Sequence, residues 1–371
     1  MEKVVVGMSG GVDSSVAAYL LKKQGYEVIG VTMQIWQDED VCTMEENGGC
    51  CGLSAVEDAR RVAAVLDIPY YVMNFKNEFK ENVIDYFVDE YLQARTPNPC
   101  IACNRYVKWE SLLKRSMDIG ASYIATGHYA RIIKLPNGRF TLLKSVTAAK
   151  DQTYALYNLT QFQLSHTLMP VGDFVKEDIR ALAKELRLPV ANKPDSQEIC
   201  FVADNDYAGF IRNYLQEKEE KDKLLKSSFT GLTPGNFVNA AGDVIGRHQG
   251  LVHYTVGQRK GLNLSMGQPV FVLELRPETN EIVIGNADEV FLDHLYADRL
   301  NFMAIEDLDE EMEVEAKIRY SHKGARCRIK KIAEDELVCY FEEPQRAITP
   351  GQSVVFYHDN YVIGGGTIIK K

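Results

Sequence analysis

No stretch of the sequence approaches the ~20 consecutive apolar residues that a membrane-spanning helix needs, so no helical membrane span and no membrane partner are expected. Positive charge is also short. Forty-two Lys and Arg against 52 Asp and Glu leave a formal net charge of -10, which argues against a protein that coats nucleic acid irrespective of sequence. A nucleic-acid substrate is not excluded, because one basic face on an acidic protein suffices. Cysteine is too sparse for a disulfide framework: eight in 371 residues point instead to catalysis, metal binding or buried thiols in a reducing compartment. An apolar strand begins almost at Met1, leaving no room for a signal or transit peptide, so the expected compartment is the cytoplasm. Hydrophobic content of 46% and charged content of 25% are those of a globular protein, and the length suggests two or three domains.

What is present is concentrated first at the N-terminus. Val4 to Val6 reads as a buried strand that breaks at Gly7 into a polar turn, and helical apolar spacing runs from Ser14 to Leu21. Strand, glycine turn and helix together offer free backbone N–H groups to an anion. Gly10 and Gly11 allow close approach of a phosphate, and Ser9, Ser14 and Ser15 add hydroxyl donors. No lysine follows the glycines, so this is not the Gly-Lys-Ser/Thr phosphate loop of kinases and GTPases. The order Ser9-Gly10-Gly11-Val12-Asp13-Ser14 resembles the signature of the PP-loop pyrophosphatases. That resemblance implies cleavage of ATP between the α and β phosphates and adenylation of a carbonyl oxygen.

Val28 to Met33 reads as a second parallel strand, with Met33 at its carboxyl end beside the expected nucleotide pocket or simply in the core. Cys42, Cys50 and Cys51 follow in an irregular stretch with no second pair at zinc-finger spacing nearby. Helices are expected at 54–66 and 79–91, with a strand at 70–73 between them. In Thr96-Pro97-Asn98-Pro99-Cys100-Ile101-Ala102-Cys103-Asn104 two prolines suggest an extended chain. The next helix is expected near Tyr106, which sets Cys103 by a helix N-terminus, where a thiol pKa falls. On its own the Cys-x-x-Cys spacing is compatible with zinc, a redox pair or iron–sulfur ligation. Gly127 and His128 follow a short strand; the histidine reads as a general base, a polar contact or, by default, a structural side chain. Lys150-Asp151-Gln152-Thr153-Tyr154 reads as a solvated loop. Cys200 lies in a short apolar patch after Asp195-Ser196-Gln197-Glu198, where burial alone suggests an inert thiol.

After Asp206 come a helix at 207–215 and a charged run at 217–226, and then short β runs with glycine and proline turns. Runs at 237–240, 244–246, 270–275 and 282–284 suggest a small β domain. Runs at 314–320, 325–332, 336–341, 353–357 and 362–369 suggest a separate β-barrel or sandwich. The last set carries the densest basic cluster: Lys317, Arg319, Lys323, Arg326, Arg328, Lys330 and Lys331. The expected organisation is α/β: a Rossmann-like parallel-sheet adenylating domain over 1–205, a central β-rich domain over 206–285, and a C-terminal β-barrel for RNA over 286–371.

Taken together, the motif strings resemble those of the tRNA-specific 2-thiouridylases along nearly the whole chain. They are Gly7 to Ser14, Thr96 to Asn104, Thr126-Gly127-His128-Tyr129, Lys150 to Tyr154, Asp195 to Phe201, Tyr254-Thr255-Val256-Gly257-Gln258-Arg259-Lys260-Gly261, and Thr349-Pro350-Gly351-Gln352-Ser353-Val354. The resemblance implies ATP-dependent 2-thiolation of the wobble uridine in lysine, glutamate and glutamine tRNAs. Cys200 would carry a persulfide, and Cys103 would release its sulfur and finish in a Cys103–Cys200 disulfide. Gly7, Met8, Ser9, Gly10, Gly11, Val12, Asp13, Ser14, Met33 and Gly127 would contact ATP, with Mg2+ accompanying it. Asn98, Pro99 and Cys100 would meet the target base, and His128, Lys150, Asp151, Gln152, Arg319, Tyr320 and Gln352 the tRNA anticodon stem-loop. The implied partners are tRNA and a sulfur-donor protein, a cysteine desulfurase or a sulfur relay protein.

One position departs from the family pattern: Cys100 stands where relatives often have aspartate. It makes an iron–sulfur cluster on Cys100, Cys103 and Cys200 the alternative mechanism. A PP-loop ligase of the argininosuccinate or GMP synthetase kind, and a nucleotide- and RNA-binding protein with a redox-sensing thiol pair, are the competing readings.

Overall fold

The computed structural model describes residues 1–35, 53–195, 199–202, 206–221 and 230–371. Cys42, Cys50, Cys51 and the Ser196-Gln197-Glu198 string lie outside the described residues.

Strands β1 (Lys3–Gly7), β2 (Glu27–Gln34), β3 (Tyr70–Asn74), β4 (Tyr123–Ala125) and β7 (Thr167–Leu168) form a parallel sheet in the order β3-β2-β1-β4-β7. Val4, Val5 and Val6 are wholly buried, as a central parallel strand covered on both faces requires. Their alternation divides the core. Val4 and Val6 pack with α1 (Val12–Lys23), α2 (Leu53–Leu66) and a later helix, α6 (Lys176–Glu185). Val5 faces the opposite layer, with Phe79, Phe87, Trp109 and Leu112 from helices 76–92 (α3) and 99–118 (α4). Both of these helices widen to π geometry, over Lys80–Asp85 and Cys103–Leu112, a feature that recurs at functional sites.

Three strands in the N-terminal half were not expected: the short edge strand β7 and the two strands of a hairpin. The hairpin of β5 (Ala130–Lys134) and β6 (Phe140–Lys144) leaves the parallel sheet. It joins the C-terminal sheet through the Leu143–Tyr361 pair. The central sheet, in the order β10-β11-β8-β9, is built from β8 (Gly235–Val238), β9 (Val244–His248), β10 (Phe271–Arg276) and β11 (Glu281–Gly285).

The C-terminal strands are β12 (Phe291–Phe302), β13 (Met312–Lys317), β14 (Ala325–Ala333), β15 (Glu336–Arg346), β16 (Ser353–His358) and β17 (Tyr361–Ile369). They run antiparallel in the order β12-β15-β14-β13-β16-β17, and pairing of β12 with β17 closes a six-stranded barrel. On β14 Cys327 and Ile329 point inward while Arg326, Arg328 and Lys330 stand on the outer face. The barrel is not a loose appendage. Val355, Tyr357 and Val362 enter the same core cluster as Trp109 and Phe87. No helix among the described residues is long and apolar enough to cross a membrane.

Candidate active site

The glycine turn is built as an anion cradle. Gly11 precedes α1 with extended backbone, and no side chain caps the helix, so its first N–H groups are left for a ligand. Gly10 has φ +67°, and a Cβ there would lie 2.4 Å from the Ala55 carbonyl oxygen, so only glycine fits between the turn and α2. The Ser9 N–H donates to Ser14 Oγ (3.2 Å), and the Ser15 hydroxyl donates to the Gly11 carbonyl (2.8 Å), which fixes the curl of the turn. From the neighbouring strands, Tyr70 OH donates to Thr32 Oγ1 (2.8 Å), which donates to the Met8 carbonyl (2.7 Å). Gly127 lies across the same turn: a Cβ there would be 2.5 Å from the Ser14 nitrogen. Met33 sits near the carboxyl end of β2, partly buried and opposite Met73.

A charge cluster joins the turn to two other motif strings. Lys176 is buried and donates to both Asp13 oxygens (2.8 and 2.7 Å) while pairing with Asp195 Oδ1 at 2.8 Å. Asp195 also accepts from Lys150 (2.8 Å) and Arg180 (2.9 Å). Partial burial alone would raise the Asp195 pKa, but the hydrogen bonds and charges of Lys150 and Lys176 outweigh it and bring it down to about 2. Tyr129 OH donates to Asp13 Oδ1 (2.7 Å); burial, then the Asp13 charge, push this phenol well up, so it keeps its proton.

The expected solvated loop at 150–154 is instead largely internal. Asp151 is buried and accepts from the Ser145 N–H (3.0 Å) and the Thr153 hydroxyl (2.7 Å), while Gln152 Oε1 accepts from the Tyr129 N–H (2.8 Å). Unmet backbone donors on the adjoining turns recruit these polar side chains inward. His128 is half-buried, with Nδ1 2.7 Å from Thr126 Oγ1 and its ring 5.4 Å from Trp109. Burial, with Lys108 nearby, holds its pKa well below 6.5, so the ring is neutral at neutral pH.

The thiol helix starts earlier than expected. Pro99 is its first residue and Asn98 its cap, with Asn98 Oδ1 accepting from the Ile101 N–H (3.4 Å). The second proline therefore initiates the helix rather than delaying it, as proline does at a first helical position. Cys100 accordingly occupies the first turn, exposed, and Cys103 lies one turn further in, half-buried; the dipole argument made for Cys103 belongs to Cys100. Cys103 and Cys200 both pack against the core cluster that contains Trp109 and Phe87. Phe201 anchors the second thiol's segment by edge contacts with Phe79 and Phe87, at 5.8 and 5.1 Å between ring centres. A cavity of about 210 Å³ meets this helix at Asn98, Ile101, Ala102, Arg105 and Tyr106, but at neither cysteine. Among the described residues no group of three His, Cys, Asp or Glu side chains is arranged to hold a metal ion.

The barrel holds the loop before the thiols. Gln352 Nε2 donates to the carbonyls of Thr96 (2.9 Å) and Pro97 (3.4 Å), and the Thr96 N–H donates to the Pro350 carbonyl (2.9 Å). Thr96 Oγ1 also reaches Thr255 Oγ1 of the central domain (3.5 Å), so three motif strings meet at one turn. Arg319 donates to the Arg346 carbonyl (3.1 Å), and its neighbour Tyr320 is exposed. Partial desolvation of its hydroxyl, then the Asp151 charge, raise the Tyr320 pKa, and Lys150 and Cys100 lie within its electrostatic reach. The residues expected to meet ATP surround the glycine turn, while Lys150, Tyr320 and Cys100 share one neighbourhood. Lys176, Arg180 and Tyr129 were not expected at the site. Lys176 and Arg180 look like the polar face of an ordinary helix, and only the tertiary fold brings them to the turn.

Residues 2–204 match the family model described as the tRNA methyl transferase HUP domain. Residues 223–286 match the tRNA methyl transferase PRC-barrel domain, and 292–368 the aminomethyltransferase beta-barrel domain. The chain is 68% identical over 370 residues to the tRNA-specific 2-thiouridylase MnmA of Lachnoclostridium phytofermentans, covering 100% of both chains. It is 56% identical over 367 residues to the Clostridium kluyveri protein of the same name, covering 99% of each. The figure for the Clostridioides difficile protein of that name is 54% over 371 residues, or 100% of this chain and 99% of the other.

Proposed function

The chain belongs to the tRNA-specific 2-thiouridylase family, and we propose that it adenylates the C2 oxygen of the tRNA wobble uridine and replaces that oxygen with sulfur. The observation that carries this reading is the pairing, in one fold, of an uncapped glycine-turn helix with two cysteines packed on a common core cluster. The uridine C2 oxygen is a poor leaving group, and transfer of AMP from ATP converts it into a good one. The first-turn N–H groups of α1, with Gly10 and Gly11, bind the phosphates; Met33 and Gly127 border the nucleoside. Both oxygens of Asp13 are engaged by Lys176, so a Mg2+ accompanying ATP would be held by the phosphates rather than by this carboxylate.

Cys200 enters the second half-reaction as a persulfide loaded by a donor protein, a cysteine desulfurase or relay protein. Its terminal sulfur attacks C2 and AMP departs with the original oxygen. The Cys103 thiolate then attacks the Cys200 sulfur and breaks the S–S bond, whose electron pair stays on the base as the thiocarbonyl. The Cys103–Cys200 disulfide left behind needs a two-electron dithiol reductant before the next turnover. Cys103 and Cys200 are the catalytic residues; Asn98, Pro99 and Cys100 border the base. Lys150, Arg319, Tyr320 and the outer face of β14 lie toward the tRNA anticodon stem-loop, His128 and Gln352 acting behind them. Wobble uridines of lysine, glutamate and glutamine tRNAs are the expected targets.

The test is nucleoside mass spectrometry after incubation with ATP, tRNA and a persulfide source. The protein forms 2-thiouridine, Cys200→Ser releases pyrophosphate in a tRNA-dependent way without thiolating, and an iron-free preparation keeps full activity. Thiolation by Cys200→Ser at the wild-type rate would overturn the persulfide route.

A further inference from the structure

The Tyr254 to Gly261 string of the central domain folds into a turn that holds two cations in solvent. Gly257 and Gly261 take left-handed backbone, at φ +86° and +79°, and bracket Gln258, Arg259 and Lys260. The Gln258 side chain locks the turn: Oε1 accepts from the Thr255 N–H (3.0 Å) and Nε2 donates to the Lys260 carbonyl (3.0 Å). The Gly257 N–H donates to the Val272 carbonyl (2.8 Å), and a Cβ at Gly257 would lie 2.4 Å from Ala347 Cβ, so the turn is pressed against the barrel. Arg259 and Lys260 stand exposed at its tip. Two more cations close on the same point. Arg346 Nη2 donates to the Gly257 carbonyl (3.4 Å), with its guanidinium 5.3 Å from the Phe271 ring centre. Arg319 Nη1 donates to the carbonyls of Arg346 (3.1 Å) and Ala347 (3.4 Å). Partial burial, then the Arg346 charge, lower the Arg319 pKa, as an adjacent like charge does. Among the described residues no carboxylate pairs with Arg259, Lys260, Arg319 or Arg346. On the adjoining turn the Val290 carbonyl accepts from the Ala347 N–H (2.9 Å), while Glu289 is taken up by the Asn286 N–H (2.7 Å). Like charges without a counter-charge repel, and a polyanion from outside removes that repulsion.

We propose that Arg259, Lys260 and Arg346 are positioning residues that, together with Arg319, clamp the RNA phosphates beside the target nucleotide, so that the central domain helps to seat the substrate. The proposal rests on the reading of this chain as a tRNA thiolase, which brings RNA to Arg319 and Tyr320. The Arg319 side chain and the Gly257 turn both rest on Ala347, so a strand that meets the first continues over the second. The same turn reaches the thiol helix: Thr255 Oγ1 lies 3.5 Å from Thr96 Oγ1, just before the Asn98 cap. An acidic protein segment docked here would compete with the RNA strand for Arg319. Contacts to backbone phosphate set the register of the RNA and carry no sequence preference.

The test is binding of an unmodified tRNA transcript, followed by fluorescence anisotropy at several salt concentrations, alongside initial rates of 2-thiouridine formation. The double variant Arg259→Gln/Lys260→Gln binds the transcript at least fivefold more weakly than wild type. Each lost phosphate contact removes about 0.7–0.9 from the slope of log Kd against log salt, so the double variant is shallower by about 1.4–1.8. Its KM for tRNA rises by the same factor as Kd, while kcat and the KM for ATP stay within twofold. Arg346→Gln flattens the slope by one further step, and Arg259→Lys keeps the wild-type slope, because the phosphates respond to charge. A weaker complex with an unchanged slope would mean a structural role and overturn the clamp, as would wild-type affinity in the double variant. Wild-type tRNA affinity combined with slower persulfide loading of Cys200 from a donor protein would also overturn it and assign the cations to that protein. Failure of the wild-type chain to bind tRNA or to form 2-thiouridine would instead overturn the proposed function beneath it.

Discussion

Gly10 and Gly11 are adjacent in sequence and alike in composition, yet the fold assigns them opposite tolerances. At Gly10 φ is +67°, and an added Cβ would meet Ala55 O at 2.4 Å and Ala55 Cα at 2.8 Å, both backbone atoms of α2. The left-handed backbone costs an alanine about 1 kcal/mol, and forcing the turn off α2 adds about 1–3 kcal/mol. Gly10→Ala is therefore destabilised by about 2–4 kcal/mol, which for a domain of this size is a fall of about 5–15 °C in Tm. At Gly11 φ is -100°, and the nearest atom to a new Cβ is Ser9 Oγ at 3.4 Å. There, loss of a glycine cap is offset by reduced unfolded-state entropy, and Gly11→Ala stays within about 0.5 kcal/mol of wild type. Calorimetry of both variants, following the transition of the α/β domain, decides the matter. Nucleotide binding separates them too, because displacement of the Gly10 turn moves the first N–H groups of α1. Equal Tm values for Gly10→Ala and wild type would refute the claim that the turn is wedged against α2.

Gln352→Ala removes the two hydrogen bonds that seat Thr96 and Pro97 and costs about 1–2 kcal/mol in chemical unfolding; Gln352→Glu costs more, since it turns a carboxylate on two carbonyl oxygens. In both variants 2-thiouridine formation falls further than pyrophosphate release. The depressed His128 pKa gives a pH dependence of definite sign: the unfolded chain takes up a proton near pH 6.5 that the folded ring refuses. Its stability contribution is complete above pH 6.5 and is lost as pH falls toward the folded pKa, by up to about 1.4 kcal/mol per unit. His128→Asn flattens that part of the stability–pH curve, as urea titrations between pH 5 and 8 will reveal.

The parts of the fold legible in the sequence are those fixed by short-range pattern. Val4 to Ser14 declares strand, turn and helix within a dozen residues, and the central β runs alternate visibly. The hairpin β5–β6 escaped because Ile132 and Ile133 are adjacent and interrupt the alternation. Strand β12 escaped because Phe291 and Leu292 face solvent and, of its twelve residues, Leu295 and Ala297 alone are buried, too few to show an alternation. The start of the thiol helix was misjudged because Pro97 and Pro99 look equivalent in sequence, and only the cap geometry at Asn98 tells them apart. Lys176 was beyond reach for a different reason: 163 residues separate it from Asp13, and no local pattern encodes that meeting.

The grip of Gln352 on Thr96 spans 256 residues of chain. During synthesis, the glycine turn and both thiols leave the ribosome long before the segment that braces them exists. The polypeptide thus makes the glycine turn and the cysteines early, and the segment that holds Thr96 in place late.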